Sequence, residues 1–160
     1  MKKMRSFLLA VLFILLLTAC SQERSPATAS SPTTILNEEE TRKMLRIEIN
    51  GTVFQLELAE NPTAKKLREI LPNTFSMEDL NQNEKFFDLP EHLPKNERAV
   101  GEIEAGDVML YGDSTLVLFY RSFETSYSYT RIGKMLEAEK FAKVAGNRSI
   151  DVKIQKEDLP

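Results

Sequence analysis

The feature that most constrains the fold is a pair of apolar runs, Val108–Tyr111 and Leu116–Tyr120, in the second half of the chain. Gly112-Asp113 lies between them. A Gly-Asp pair between two apolar runs is typical of a tight β-hairpin, because glycine readily adopts the positive φ angle that such turns need. The two runs therefore predict two antiparallel strands that are neighbours in a sheet.

This predicted hairpin is apolar on both faces. If Tyr111 pairs with Ser114 across a two-residue turn, Met109 faces Leu116 on one side and Val117 lies on the other. A strand pair with two apolar faces must be covered on both of them. The sequence therefore predicts that the hairpin lies at the centre of a closed or layered β fold.

A second hairpin is predicted at Asn50-Gly51, because Asn-Gly is the strongest short-range signal for a two-residue β-turn. With such a turn, Ile47 lies opposite Phe54 and Leu45 lies opposite Leu56. Residues that oppose each other share a face, so this register collects the apolar side chains on one side.

Two short amphipathic helices are predicted as well. The first begins at Asn61-Pro62, since Asn is a favourable N-cap and Pro suits the first helical position, and it ends at Pro72. The second spans Glu137–Ala145 and ends at Gly146. Alternating or apolar runs predict about eight strands, at Met44–Ile49, Thr52–Leu58, Phe75–Met77, Glu84–Pro90, Val108–Tyr111, Leu116–Tyr120, Tyr127–Met135 and Ser149–Gln155.

The N-terminal residues are typical of an export signal. A basic flank precedes the apolar run Phe7–Leu17, which is shorter than the roughly 20 residues of a membrane-spanning helix. The following Leu17-Thr18-Ala19-Cys20 resembles the lipobox of bacterial lipoproteins. The resemblance implies cleavage before Cys20 and lipid attachment to that residue, which would anchor the protein stably in a membrane.

The chain is thus expected to have three regions. Residues 1–19 form a lipoprotein signal peptide, residues 20–42 the lipidated Cys20 with a flexible tether, and residues 43–156 the folded domain. The protein would be exported and lipid-anchored in the bacterial cell envelope, so the membrane is an expected partner. The residue after Cys20 is Ser21 and not the Asp that retains some lipoproteins in an inner membrane. This difference favours the outer membrane in a host that has one.

Charge and cysteine content exclude several classes of protein. The formal net charge is −3, and removal of Lys2, Lys3 and Arg5 with the signal would leave −6. An acidic domain argues against a nucleic-acid partner, for which a basic patch is expected. The chain has one cysteine, Cys20, so it forms no intrachain disulfide and must be stabilised by packing.

Four segments resemble the bacterial cyclophilin-like domain family, and they are Val100–Ile103, Gly106-Asp107, Leu116–Tyr120 and Tyr129–Lys134. Gly106-Asp107 and Ile132-Gly133-Lys134 are the most specific of these points, and the similarity extends over about Leu45 to Ile154. The resemblance implies a mainly β fold, a closed eight-stranded β-barrel capped by two short α-helices, as in peptidyl-prolyl isomerases of the cyclophilin type.

The chain departs from cyclophilins proper where their activity resides. Those proteins carry a Phe-x-Arg-x-Ile-x-x-Phe-x-x-Gln-Gly-Gly stretch that supplies the catalytic Arg and the pocket Phe, and nothing in this sequence matches it. Because a fold carries over more safely than an activity, the resemblance assigns no catalytic residue here.

The sequence shows few signs of a metal site, a nucleophilic catalytic site or a phosphate-binding loop. His92 is the single histidine and lies in a Pro-flanked loop, where a solvated side chain is expected. With one histidine and a cysteine expected to be lipidated, the sequence argues against zinc sites, Cys–His dyads and Ser-His-Asp triads. No Gly-rich phosphate loop is present, so we predict neither a metal nor a cofactor. Asp107 and Asp113 flank a strand, where a turn carboxylate that accepts a backbone hydrogen bond is expected.

One segment, Arg121 to Arg131, is the candidate ligand-binding site. It places aromatic rings between two arginines and so predicts an amphipathic pocket wall, formed by Arg121, Phe123, Tyr127, Tyr129 and Arg131. The alternative interpretation is that Tyr127 and Tyr129 are half-buried strand residues and that the arginines form surface ion pairs.

Three functional hypotheses follow. The first is a non-catalytic module that binds a peptide or small ligand. The second is a peptidyl-prolyl isomerase that assists the folding of exported proteins, which needs an apolar cradle for Pro and an Arg that donates to the prolyl nitrogen. The third is a structural envelope component, which predicts a surface with no open groove.

Overall fold

The computed structural model describes residues 43–155. The strands and helices of that part of the chain are β1 (Met44–Ile49), β2 (Thr52–Leu58), α1 (Pro62–Ile70), β3 (Thr74–Leu80), β4 (Glu84–Asp88), β5 (Arg98–Ile103), β6 (Asp107–Tyr111), β7 (Thr115–Phe119), β8 (Phe123–Met135), α2 (Ala138–Ala145) and β9 (Ile150–Gln155).

Eight of these strands form a closed ring. Their order is β2-β1-β9-β3-β4-β7-β6-β8, and β8 also pairs with β2, which closes the ring. The fold is therefore mainly β with two helices, as the sequence predicts. The ninth strand, β5, lies outside the ring and pairs with the first half of β8. Sequence analysis missed β5, because most of its residues are exposed and show no alternation.

The two predicted hairpins have different outcomes. The hairpin at Asn50-Gly51 has the predicted register, with Ile47 opposite Phe54. The register predicted for the central hairpin is wrong by one residue, because Tyr111 pairs with Thr115 across a three-residue loop. Met109 consequently lies opposite Val117 and not Leu116.

The interior of the ring holds the larger apolar cluster, and both helices close it. Leu67 of α1 and Phe141 of α2 are fully buried in this cluster, and the ring of Phe141 packs edge-on against that of Phe54 at 6.0 Å. As predicted, Asn61 caps α1, since its side chain accepts a hydrogen bond from the Ala64 amide at 2.8 Å. The predicted end of α2 at Gly146 is confirmed too.

A second, smaller apolar cluster lies on the outer face of the ring. Its buried members come from β5, β6, β7 and β8, and they are Ile103, Met109, Val117, Phe119 and Tyr129. The prediction that both faces of the central hairpin are covered is thus confirmed, although the residues on each face differ from those predicted. Strand β5 and the first half of β8 supply the outer cover.

The two segments most specific to the family resemblance contact each other. The Met135 amide donates a hydrogen bond to the Gly106 carbonyl at 2.7 Å, and the Asp107 carboxylate lies 3.0 Å from the Lys134 ammonium. Gly133 pairs with Leu58 of β2 and with Val108 of β6. A Cβ atom at Gly133 would overlap the backbone carbonyl of Glu57, so the ring closes at a position that only glycine can occupy.

Several predictions fall outside the described residues. The signal peptide over residues 1–19 and the tether with Cys20 lie there, so the structure does not test them. Within residues 43–155, neither helix is long and apolar enough to cross a membrane.

We expect Gly133→Ala to destabilise the domain by about 3 kcal/mol, because the added methyl group forces β2 and β8 apart. The free energy of unfolding, measured by chemical denaturation of the purified chain, checks this. Gly101→Ala is the matched control, since its Cβ would meet nothing within 4 Å and only its positive φ opposes the substitution, at about 1 kcal/mol. Equal losses in the two variants would contradict the account of ring closure.

Candidate functional site

A groove of about 440 Å³ lies on the outer face of the ring. Its lining comes from the turn between β3 and β4, from the outer faces of β4, β6 and β7, and from the first half of β8. Val117 and Tyr129 of the outer apolar cluster contribute to the lining. The groove exists because β8 leaves the ring to pair with β5, which opens a space between its first half and the strands below.

Aromatic side chains dominate the groove, and five of them line it: Phe86, Tyr111, Phe123, Tyr127 and Tyr129. The ring of Tyr111 lies 6.0 Å from that of Tyr127, edge to face, and 5.7 Å from that of Tyr129. Tyr127 is 60% exposed and Tyr111 is 48% exposed, whereas Tyr129 is buried. Large apolar surfaces left open in a concave site are typical of binding sites.

Glu84 is the main polar group of the groove. It lies opposite Phe119 of the outer cluster, so its side chain is on the outer face. Only 9% of the residue is exposed, and its carboxyl group has no hydrogen bond or ion pair with any residue in the described part of the chain. Burial raises the pKa of Glu84, and the negative charge of Asp79 raises it further.

Two more polar groups line the same groove. The side-chain oxygen of Asn83 is buried and has no hydrogen-bond partner among the described residues. Burial, with the negative charge of Glu84 next in effect, raises the pKa of Tyr129 to about 12, so this hydroxyl stays protonated. The lining residues therefore include a carboxyl group and a buried amide oxygen, both of them acceptors without a hydrogen-bond partner among the described residues.

The five residues predicted to bind a ligand divide into two groups. Phe123, Tyr127 and Tyr129 line the groove. Arg121 and Arg131 do not, and residues 43–155 contribute no lysine or arginine to its lining. Arg121 instead lies beside the ring of Tyr120, with its Cζ atom 6.0 Å from the ring centroid.

Arg131 lies beyond the end of the groove. Its guanidinium is 3.4 Å from the carboxylate of Asp107, and its side chain lines a smaller cavity of about 230 Å³ beside α1. Tyr129 lines both this cavity and the groove.

Sequence reasoning missed Glu84, Asn83, Phe86 and Tyr111 as site residues. A signal existed for Glu84 and Phe86, because alternate residues of the predicted strand Glu84–Pro90 share a face. Nothing in the sequence, however, indicates that β4 lies below the first half of β8.

A buried polar network lies on the inner side of β4. The ammonium of Lys85 is fully buried and donates hydrogen bonds to Asp79 at 2.6 Å and to the carbonyls of Gly146 and Arg148 at 2.8 and 2.7 Å. Tyr120 donates to the same carboxylate oxygen of Asp79 at 2.7 Å. Burial alone would raise the pKa of Asp79, but these hydrogen bonds outweigh it and hold the pKa below its usual value. The network joins β3 and β4 to the end of α2.

The remaining titratable candidates have structural roles. His92 is 78% exposed at its side chain and lies 3.0 Å from Asp113, which agrees with the predicted solvated loop histidine. Asp107 accepts a hydrogen bond from the Glu104 amide at 3.0 Å, as a turn carboxylate does. Across residues 43–155, no three His, Asp or Glu side chains form a group that could hold a metal ion.

Comparison with known proteins settles the family. A model of the Cyclophilin-like family matches residues 47–155, which is most of the described chain. The chain belongs to the cyclophilin-like family. The match confirms the resemblance seen in the sequence, and it covers both the groove and the ring of this cyclophilin-like domain. No curated protein matches the chain.

Solved structures share the cyclophilin-like fold of this chain. The solution structure of the hypothetical protein AF2241 from Archaeoglobus fulgidus matches with a TM-score of 0.53 at 20% identity, over 72% of this chain and 95% of that one. The structure of McbB in complex with tryptophan matches with a TM-score of 0.56 at 16% identity, over 72% of this chain and 45% of that one. This chain thus spans less than half of McbB, and at these identities the likeness shows the fold alone.

We expect Glu84→Gln to raise the melting temperature of the domain at pH 7. Because the pKa of Glu84 is raised by folding, the wild-type domain loses stability as the pH rises through that pKa, and the neutral amide avoids this loss. The difference between the two proteins should vanish once the pH falls below 4.5, the ordinary pKa of the group, where the carboxyl is protonated in both states.

Thermal unfolding across this pH range is the measurement. Glu124→Gln is the matched control, since Glu124 also lines the groove but is exposed, and its substitution should leave the melting temperature nearly unchanged. A lower melting temperature for Glu84→Gln at pH 7 would mean that the carboxylate is stabilised by a partner.

Proposed function

We propose that this protein is a lipid-anchored component of the bacterial cell envelope whose cyclophilin-like domain binds a peptide or small ligand without catalysing a reaction. The observation that carries the proposal is the aromatic groove of about 440 Å³ between the first half of β8 and the outer face of the ring. A purely structural component would not need such an opening.

The exposed rings provide binding energy. Tyr111 and Tyr127 are each about half exposed in a concave site, and covering the open part of one such ring stabilises a complex by roughly 2 kcal/mol. Their mutual packing holds them in place before a ligand arrives, so little side-chain entropy is lost on binding.

The arrangement does not favour the isomerase hypothesis. That mechanism needs an arginine able to donate to the prolyl nitrogen beside an apolar cradle. Neither Arg121 nor Arg131 lines the groove, and the guanidinium of Arg131 is engaged by Asp107. A groove with aromatic walls and without this donor suits binding better than catalysis.

The lipid anchor rests on the sequence around Cys20. Lipidation there would place the groove on an exported, membrane-tethered domain, in the outer membrane where the host has one. Within residues 43–155, no helix is long and apolar enough to span a membrane. In this proposal, the lipid on Cys20 supplies the membrane association.

We expect the mature chain isolated from a bacterial host to begin at Cys20 and to carry acyl chains on that residue. Cys20→Ser should remove the lipid mass and leave the precursor uncleaved, because the thiol is the attachment point. Mass spectrometry of the N-terminal peptide measures both, with Ser21→Ala as the control that keeps the lipid. An unmodified wild-type N-terminus would contradict the anchor.

We expect Tyr127→Ala to weaken ligand binding about tenfold or more with little change in melting temperature, because the ring is 60% exposed and lines the groove. Tyrosine ring chemical shifts report binding directly, since three of the four tyrosines line the groove. The full chain, purified in a nonionic detergent and labelled at its tyrosines, is screened against proline-containing peptides and small-molecule fragments.

Leu136→Ala is the matched control, because Leu136 is 49% exposed but lies outside the groove. It should leave ligand affinity unchanged. If no compound shifts the groove tyrosines, the binding proposal fails. If the chain accelerates isomerisation of a proline peptide and Arg131→Ala removes that activity, the isomerase hypothesis replaces it.

A further inference from the structure

The polar side chains of the groove all carry acceptors, and its charged groups are all acidic. Glu84 and Glu124 are the two carboxyl groups in its lining. No lysine or arginine from residues 43–155 lines the groove. An anionic ligand would therefore meet repulsion at this site, whereas a cation would meet attraction.

Glu84 is the group that most needs a partner. It is more than nine-tenths buried, and its carboxyl group has no hydrogen bond or ion pair with the described residues. Burying a carboxylate without a partner destabilises a folded protein, and Glu84 lines an open groove from which a ligand could supply that partner.

Asn83 presents a second acceptor next to Glu84 in the chain. Its side-chain oxygen is buried and unpartnered among the residues described, although a buried oxygen of this kind is normally hydrogen-bonded. Its backbone is held firmly, because its carbonyl accepts hydrogen bonds from the amides of Tyr120 at 2.9 Å and Arg121 at 3.3 Å. The two acceptors are therefore positioned without a donor.

The aromatic walls favour the same type of ligand. The faces of aromatic rings carry a negative potential and attract cations, and Tyr111 and Tyr127 are edge to face at 6.0 Å beside the open groove. Their exposed surfaces would also cover an apolar body attached to the cation.

We propose that the groove binds a ligand with a protonated primary amine on an apolar body, an inference that rests on the proposed binding function. The ammonium group donates hydrogen bonds to the Glu84 carboxylate and the Asn83 side-chain oxygen, and the body packs against Tyr111 and Tyr127. A primary amine fits better than a quaternary ammonium, because the unpartnered acceptors need N–H donors that a quaternary group lacks.

The test compares three probes that share a 2-phenylethyl body: 2-phenylethylamine, 2-phenylethanol and trimethyl(2-phenylethyl)ammonium. Their affinities for the full chain in nonionic detergent are measured at pH 7 by titrating the tyrosine ring chemical shifts. We expect the primary amine to bind at least tenfold more tightly than the alcohol and more tightly than the quaternary ammonium.

Glu84→Gln should abolish the preference for the amine while leaving the affinity for the alcohol within about threefold of the wild type. Glu102→Gln is the matched control and should preserve the preference, because Glu102 is an exposed carboxylate of β5 that does not line the groove. Tyr127→Ala should weaken all three probes.

Equal affinity for the amine and the alcohol would overturn the inference and leave the binding function standing. A preference that survives in Glu84→Gln would overturn it as well. Tighter binding of the quaternary ammonium would also overturn it, because recognition would then come from the aromatic rings and not from hydrogen bonds to the acceptors. If none of the probes binds, this inference fails, and the separate peptide and fragment screen decides the binding function.

Discussion

The close approach of β2 to β8 at Gly133 is the constraint on which the rest of the structure depends. Gly133 pairs with a strand on each side, and a Cβ atom there would overlap the carbonyl of Glu57. This contact closes eight strands into a ring, so the interior cluster is shielded from water without an open sheet edge at that point. Asp107 and Lys134 form an ion pair beside the crossing at 3.0 Å. The two family-specific segments are thus parts of one structural feature.

The groove is a consequence of the same strand. Thirteen residues of β8 are continuous, but its second half belongs to the ring and its first half pairs with β5 outside it. The outer face of the central hairpin is apolar and needs a cover, which the first half of β8 supplies only in part. The uncovered remainder is lined by aromatic rings and by the unpartnered Glu84. A site of this kind arises from how the fold covers a second apolar face.

Two features that depend on neighbouring residues were predicted correctly from the sequence. The hairpin at Asn50-Gly51 and the cap at Asn61 follow from neighbouring residues, and both are confirmed. The central hairpin was predicted with the wrong register, because its turn uses three residues where the sequence also allows two. The tyrosines of β8 were predicted as site residues because they lie between two arginines, but Arg131 itself lies beyond the groove. Glu84 was missed because only the tertiary fold brings β4 below β8.

The central proposal is that the outer groove is the ligand site of the domain. Hydrogen–deuterium exchange of the full chain, with and without the strongest ligand from the tyrosine screen, tests it most directly. The account predicts slower exchange confined to the turn at residues 80–84 and to the first half of β8, at residues 123–129. Slower exchange along α1, or an unchanged pattern at a saturating ligand concentration, would contradict it.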